Sequence, residues 1–341
     1  MNNPDAKPAA VTPHKHRLWL WGGIAGGLIL LNLVLMFWFN HEPPRFDPRQ
    51  TSLEHASRHG HEAVVGYTTT ATLIEVMQTL LNKRGGYMSN DIMPPWVLLD
   101  NQPNWEFGVL TQSRDLARAL RNDLSRSQTQ STEDPDLAEG DPMLHYDSSR
   151  WFPPDTEGRY EKAVDYLEAY LTRLSSPNNS QAQFYARADN LTDWLSVVEK
   201  RLGSLSQRLS ASIGQARLNT DLSGDPDARQ STAAPDIVLV KTPWTQVDDV
   251  FYETRGTAWA LVLFLQAMEV DFEDVLRKKN AQVSFRQIIR ELEIALSPLH
   301  APMVLNGSQF GLFANHSLIM ANYIARANAA IIDLRQLLQD G

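Results

Sequence analysis

Cysteine is absent from the 341 residues of this chain, and that absence removes several chemistries at once. The protein can form no disulfide, no thiolate zinc site and no cysteine nucleophile. Basic residues are outnumbered by acidic ones. The chain has 31 Lys and Arg against 40 Asp and Glu, which gives a net charge of -9. An acidic body repels phosphate backbones, and no basic stripe carries interleaved aromatics, so we do not expect nucleic acid as a partner.

Signature motifs of catalysis are missing as well. The chain has no G-x-S-x-G nucleophile elbow, no phosphate-binding loop and no dinucleotide fingerprint. We therefore predict no cofactor. Enzymatic activity stays open, without a motif to support it.

The chain does contain one long apolar run, LWLWGGIAGGLILLNLVLMFWF, at residues 18–39. It has no charged side chain and spans about 33 Å as a helix, enough to cross a hydrocarbon core of about 30 Å. Trp19, Trp21 and Trp38 lie near its ends, where indole rings favour the headgroup level. A cleaved signal peptide has a shorter run followed by a small-x-small site, and residues 37–41 offer none. The run predicts an uncleaved transmembrane helix.

Flanking charge predicts the orientation of this helix. Lys15 and Arg17 directly precede it, whereas Arg45 and Arg49 follow at a greater distance. Because basic loops stay on the cytoplasmic side, we expect residues 1–17 to form a cytoplasmic tail and the C-terminal domain to lie in the periplasm. The predicted location is the inner membrane of a Gram-negative cell, with the lipid bilayer as a partner.

Small residues recur on the predicted transmembrane helix at a spacing of four. Such small-xxx-small pairs let a second helix approach closely, which suggests a homodimer. Glycine is common in membrane helices anyway, so the alternative is a face without a partner. The predicted helix contact consists of Gly22, Gly23, Gly26 and Gly27.

Helical periodicity dominates the rest and predicts an all-α fold, in which one transmembrane helix precedes a soluble helical bundle. Residues 40–62 contain Pro43, Pro44 and Pro48, which predict an extended, proline-stiffened stalk. Residues 63–341 are then the helical domain. The periodicity leaves open whether this domain divides near residue 155.

Long apolar stripes predict how the helices pack. Residues 184–209 carry a heptad-like spacing over more than three heptads, and residues 160–174 carry a shorter one. The five-residue break between them predicts an αα-hairpin. Residues 258–265 are apolar on every face and predict a central buried helix, and residues 237–240 predict a short strand.

The segment 87–108 lacks a helical period and is predicted to be a structured loop, as is the acidic stretch 128–154. In the first of these, aromatics alternate with amides and carboxylates. That mixture can line a carbohydrate or peptide site, or it can pin a long loop to the core. The candidate recognition residues are Tyr87, Asn90, Asp91, Trp96, Asp100, Trp105 and Glu106.

Three histidines are the densest metal-capable set in the sequence. His55 and His59 share a helix face at a spacing of four, and His61 follows. The H-E-x-x-H pattern of zinc hydrolases is broken, because Val65 occupies the second histidine position. The cluster is therefore a weak metal or pH-sensing candidate, and the alternative is a solvated juxtamembrane segment.

The apolar run together with three internal segments resembles a family of uncharacterised proteobacterial inner-membrane proteins. The segments are GYTTTATLIEVMQTLLNKRGGYMSND, PPWVLLDNQPNWEFG and TPWTQVDDVFYETRGTAWALVLFLQAM. The resemblance extends from residue 18 over nearly the whole chain. It implies a Gram-negative envelope setting and assigns no catalytic or binding residue.

Two functions remain in view. The first is a membrane-anchored periplasmic scaffold that presents helical surfaces to envelope proteins. The alternative is an envelope enzyme or ligand-binding domain that acts on cell-wall or glycan material through residues 87–108. A deep pocket that gathers Trp96, Asp100, Trp105 and Glu106 would favour the alternative.

Overall fold

A computed structural model shows an all-α protein, with one antiparallel pair of short strands among the described residues. It describes residues 14–128, 131–153, 155–176, 182–218, 237–301, 303–308 and 311–340, so most of the predicted tail and the region 219–236 lie outside the described residues. The helices are α1 (His14–Phe39), α2 (Pro48–His59), α3 (Tyr67–Asn82), α4 (Asn101–Ala119), α5 (Pro135–Leu144), α6 (Thr156–Leu174), α7 (Ala188–Ser210), α8 (Val247–Asp271), α9 (Glu273–Lys278), α10 (Gln282–Ala295) and α11 (His316–Asp340); the strands are β1 (Gln215–Leu218) and β2 (Ile237–Val240).

Helix α1 stands apart from the body. Its segment Trp19–Phe39 is long and apolar enough to cross a membrane, and none of its residues is buried inside the protein. An added Cβ on any of the four predicted contact glycines would meet open space. The predicted helix contact with a second copy therefore stays a prediction on an uncovered face.

The body is built around α8, which confirms the predicted central helix. Every residue of α8 from Ala258 to Leu265 is buried. Around it pack α4, α3, α10, α2, α7 and α11. Buried side chains on both sides of residue 155 belong to one hydrophobic cluster, which extends from Ala56 to Leu338.

Two glycines set the tight crossing of α4 on α8. A Cβ on Gly256 would lie 1.9 Å from the carbonyl oxygen of Trp105, and a Cβ on Gly108 would lie 2.1 Å from that of Glu253. The side chain of Asn104 donates to Asp249 at 2.8 Å, so the two helices run parallel with their N-terminal ends together. That end of the body is next to α1, and we call it the α1 end.

The region predicted as a stalk is partly helical and packs on the body. The Asp47 side chain accepts hydrogen bonds from the backbone N–H groups of Arg49 and Gln50, and Pro48 occupies the first helical position. An aspartate cap before an N1 proline is a helix start, so α2 forms and packs against α3 and α8. The predicted extended spacer was wrong over these residues.

Two predicted loops also contain helix. Asp134 caps α5 through the N–H groups of Asp136 and Leu137, again with a proline at the next position. Asp100 accepts from Asn101 N at 2.9 Å, so α4 begins inside the segment 87–108. The sequence pattern did not predict these helix starts, because the starts of α4 and α5 are polar and carry no apolar period.

The predicted αα-hairpin was wrong, although both of its helices exist. Helix α6 packs mainly on α5 and α3, whereas α7 packs mainly along α11. The apolar stripe of α7 is buried as expected, and Arg335 of α11 pairs with Glu199 of α7. An apolar stripe indicates that one face of a helix is buried, but it does not indicate which neighbouring helix packs on that face.

Helix α3 is capped at its N-terminus from the far end of α8. The Asp271 carboxylate accepts from Thr69 N at 2.7 Å, at the positive end of the α3 dipole. Burial raises the pKa of Asp271, and the backbone donors of Gly66, Thr68 and Thr69 oppose that rise. This contact fixes α3 antiparallel to α8.

The α4–α8 crossing yields a test. Gly256→Ala should lower the free energy of unfolding by about 1–3 kcal/mol, because the new methyl group has no room beside Trp105. Gly203→Ala in α7 is the matched control. A Cβ there is 3.6 Å from the Asn328 side chain, so the control should be neutral or more stable by up to about 1 kcal/mol. Thermal unfolding of the full chain in detergent, followed by circular dichroism, measures both; equal midpoints for the two variants would contradict the close crossing.

Candidate functional site

A buried ion pair organises the segment between α3 and α4. Lys83 Nζ lies 2.5 Å from Glu106 Oε1, and the two side chains are 3% and 0% exposed. The same carboxylate accepts from Met88 N, Ser89 N and the Ser89 hydroxyl. Burial raises the pKa of Glu106, and the pairing with Lys83, the Ser89 hydroxyl and the Met88 backbone N–H oppose that rise. Four donors on one carboxylate hold the loop against the first turns of α4.

Most of the predicted recognition residues serve the core. Tyr87 is buried and donates its hydroxyl to Ser148 O at 3.0 Å, and burial raises its pKa. Trp105 is buried with its ring centroid 5.2 Å from that of Trp259. Asn90 is also buried and donates to Arg150 O at 3.3 Å. With Glu106, four of the seven candidates present little or no surface to a ligand.

The remaining candidates lie in different surroundings. Trp96 is half-buried, donates its indole N–H to Gly85 O at 3.0 Å, and stacks on Phe39 with 5.7 Å between ring centroids. Asp91 and Asp100 are exposed. Trp105 and Glu106 are fully buried, so they share no open surface with Trp96 and Asp100. The recognition surface over residues 87–108 stays a prediction, restricted to its exposed members.

The junction between α1 and the body is the least expected feature. Arg255 in α8 makes two parallel hydrogen bonds to Glu42, at 2.5 and 2.8 Å, and donates to Ser297 O. Its side chain is 8% exposed and that of Glu42 is 21% exposed. Nearby, Trp259 Nε1 donates to Pro43 O at 3.1 Å. We call these contacts the joint; they hold the chain against α8 only three residues after α1 ends.

The histidines form a cluster at the other end of α2. The Tyr67 hydroxyl lies 2.9 Å from His55 Nδ1 and 3.1 Å from His61 Nδ1, and Glu168 lies 3.1 Å from His55 Nε2. Burial lowers the pKa of His61, with His59 and His55 adding to the effect and Glu168 opposing it; burial also raises the pKa of Tyr67 to about 12. Among the residues that the structure describes, no group of three or more His, Asp or Glu side chains is arranged to hold a metal ion.

A groove of about 500 Å³ runs along the side of the body between α4, α7 and α8. Bidentate ion pairs cross it, from Arg201 to Asp115 and from Arg208 to Glu253. We call it the side groove. Its further lining residues include the partly exposed apolar side chains Phe107 and Val197 and the buried Gln112 and Trp194.

Two residues that line the side groove have buried hydrogen-bond donors without an acceptor among the described residues. Gln112 Nε2 and Trp194 Nε1 are buried and have no acceptor within the described part of the chain. An unsatisfied buried donor costs about 1–3 kcal/mol, and neither donor atom is exposed on the groove surface. A larger cavity of about 720 Å³ lies elsewhere, and the pairs Arg45–Glu293 and Arg286–Glu269 occupy its walls.

Comparison with known proteins places the chain in a family. A family model described as an uncharacterized protein conserved in bacteria (DUF2333) matches residues 12–341. The chain belongs to this family. No curated protein and no solved structure matches it at a significant level. Membership in DUF2333 confirms the resemblance to a family of unknown function and assigns no role to the joint or the side groove.

Sequence reasoning missed Lys83, Glu42, Arg255 and the side groove. Their partners lie far apart along the chain, and no spacing rule connects them. One signal was available for Arg255, which lies three residues before the apolar run 258–265 of α8. A lone cation beside a buried apolar run needs a partner, although the sequence does not say which one.

The Lys83–Glu106 pair yields a test. Lys83→Met should reduce the free energy of unfolding by about 3–5 kcal/mol, because it leaves a carboxylate buried without its cation. The double variant Lys83→Met/Glu106→Leu should recover much of that loss. Arg277→Met is the control, because the Arg277–Asp274 pair is exposed and such pairs contribute no more than about 1 kcal/mol. Urea unfolding of the full chain measures all three; a single variant as stable as the control would contradict the assigned role.

Proposed function

We propose that this protein is a membrane-anchored scaffold of the bacterial cell envelope. In this proposal α1 stays uncleaved in the inner membrane with its N-terminus in the cytoplasm, and the helical body lies in the periplasm. The body binds a segment of an envelope protein in the side groove. The protein family is bacterial, and α1 has the length and hydropathy of a membrane span.

The exposed apolar side chains of the side groove carry the binding part of the proposal. Phe107 is 43% exposed and Val197 is 36% exposed, so apolar partner side chains have a surface to cover. Apolar contacts beside a few fixed polar groups are typical of sites that bind a peptide or a helix.

The joint supports the scaffold part of the proposal. Because Glu42 binds Arg255 directly after α1, the body sits on the membrane without an extended spacer. A partner in the side groove would then be held at a defined height and orientation. The alternative, an envelope enzyme or ligand-binding domain, depended on a shared pocket in residues 87–108, and its most aromatic and acidic members, Trp105 and Glu106, are buried in the core.

Photo-crosslinking in living cells tests the groove. A photoreactive residue at Val197 should form an adduct with an envelope protein, whereas one at Val283 should not. Val283 is the control because it is 80% exposed and lies on α10, away from the groove. Phe107→Asp should lower the yield of the Val197 adduct about tenfold if the apolar contact contributes ~1.4 kcal/mol. Equal labelling from both positions, or none from Val197, would remove the groove from the proposal.

A topology fusion tests the compartment separately. Alkaline phosphatase fused after Gly341 should be active, and a fluorescent protein that matures only in the cytoplasm should stay dark at the same position. The opposite pair of results would place the body in the cytoplasm and overturn the periplasmic part of the proposal.

A further inference from the structure

We propose that the loop before α4 is a second membrane contact, which inserts apolar side chains into the bilayer beside α1. Four residues of this loop are large, apolar and more than half exposed, and we call them the loop patch. They are Ile92 at 52%, Met93 at 66%, Val97 at 54% and Leu98 at 58% exposed.

The loop patch lies next to the end of the membrane span. Trp96, between Met93 and Val97, stacks on Phe39 at 5.7 Å with an angle of 18° between the rings. Phe39 is the last residue of the apolar helix, so it lies at the edge of the hydrocarbon core when α1 crosses a bilayer. Consecutive Cα atoms are at most about 3.8 Å apart, so every residue of the loop patch lies within about 15 Å of Trp96, which itself contacts Phe39.

The loop is held in one shape, with its apolar residues on the outside. Val97 N donates to Met93 O at 3.1 Å, Leu98 N to Pro95 O at 3.0 Å, and Leu99 N to Trp96 O at 2.9 Å. Pro95 and Leu99 are buried, so the loop is attached to the core through them. The exposed side chains are therefore a fixed surface of the folded protein.

Other aromatic side chains at the α1 end fit a bilayer surface. The Arg84 guanidinium lies 4.8 Å from the ring centroid of Trp38, where it can meet lipid phosphates while the indole ring stays at the headgroup level. Trp151 and Phe152 are exposed and follow Arg150, whose carbonyl accepts from Asn90 beside the loop. Aromatic residues are enriched at this depth of a membrane.

Apolar insertion, not charge attraction, drives this contact. Asp91 and Asp100 flank the loop patch and are exposed, so anionic lipids would repel its edges. We therefore expect the contact to persist at high salt, unlike a contact between a basic surface and anionic lipids.

The absence of cysteine permits a clean test with single-cysteine variants of the full chain. A nitroxide label is placed at Leu30, Val97 or Val283, and the protein is reconstituted into vesicles of phosphatidylethanolamine and phosphatidylglycerol. Collisions with oxygen report hydrocarbon, and collisions with a water-soluble nickel chelate report water. Leu30 on α1 is 64% exposed and serves as the lipid reference, and Val283 on α10 serves as the aqueous reference.

The label at Val97 should behave like that at Leu30. Its nickel collision rate should be about tenfold or more below that at Val283, because a polar chelate enters hydrocarbon poorly. Adding Leu98→Glu should return the loop to water, measured with the label at Met93, whereas Leu98→Ile should not. Both changes are at an exposed side chain, and unchanged thermal midpoints would confirm that the fold is intact.

The outcomes separate this proposal from the proposed function, which shares with it only the membrane-spanning α1. An aqueous label at Val97 with a lipid-exposed label at Leu30 overturns the loop contact alone. Aqueous labels at both positions overturn the anchor as well. A label at Val97 shielded from both reagents would show that protein, such as a second copy of the chain, covers the loop patch, and that result also overturns a bilayer contact. The collision rates do not depend on which side of the membrane holds the body.

Discussion

The ion pair between Arg255 and Glu42 is the contact on which the placement of every other feature depends. It joins the central helix of the body to the chain three residues after α1 ends. A largely buried pair of this kind is weak evidence for stability, because desolvation offsets much of the attraction, and it can still specify one geometry. With the joint formed, the loop patch lies beside the C-terminal end of α1, and the side groove has a fixed direction relative to α1.

The same constraint explains why the α1 end differs from the rest of the surface. A chain that leaves a bilayer directly into a packed body brings the nearest loops to the lipid headgroups. Exposed apolar residues such as Met93 and Val97 would be a liability on a free body. In the proposed membrane contact, lipid covers these side chains. Lys83 and Glu106 support that loop from inside, so its exposed shape follows from a buried polar contact.

Sequence patterns predicted the helices that carry apolar stripes and missed those that do not. Helices α6 and α7 follow their apolar periodicity and α8 follows its apolar run, because burial of apolar side chains dominates their stability. Helices α2 and α5 are more polar and begin with Asp47-Pro48 and Asp134-Pro135. This cap signal outweighs the features that predict an extended stalk over the first and a loop over the second. The αα-hairpin failed for another reason, since the stripe of α7 fits any apolar neighbour and α11 covers it.

The candidate sites were less predictable than the fold. The aromatic and polar mixture in residues 87–108 predicted surface chemistry, yet Tyr87, Trp105 and Glu106 are in the core, because mixed composition is compatible with either location. The side groove depends on how α4 and α7 meet, and the joint connects residues 213 positions apart. Tertiary packing determines such contacts, so they cannot be predicted from the spacing of residues along the chain.

The distance distribution between α1 and the body in a membrane tests the joint most directly. Spin labels at Val34→Cys and Val283→Cys, in the naturally cysteine-free chain, are measured by double electron–electron resonance in proteoliposomes. We expect one narrow distribution in the native background and a broad one after Arg255→Met. A broad distribution in the native background, unchanged by Arg255→Met, would show that the body hangs on a flexible tether and would contradict the joint.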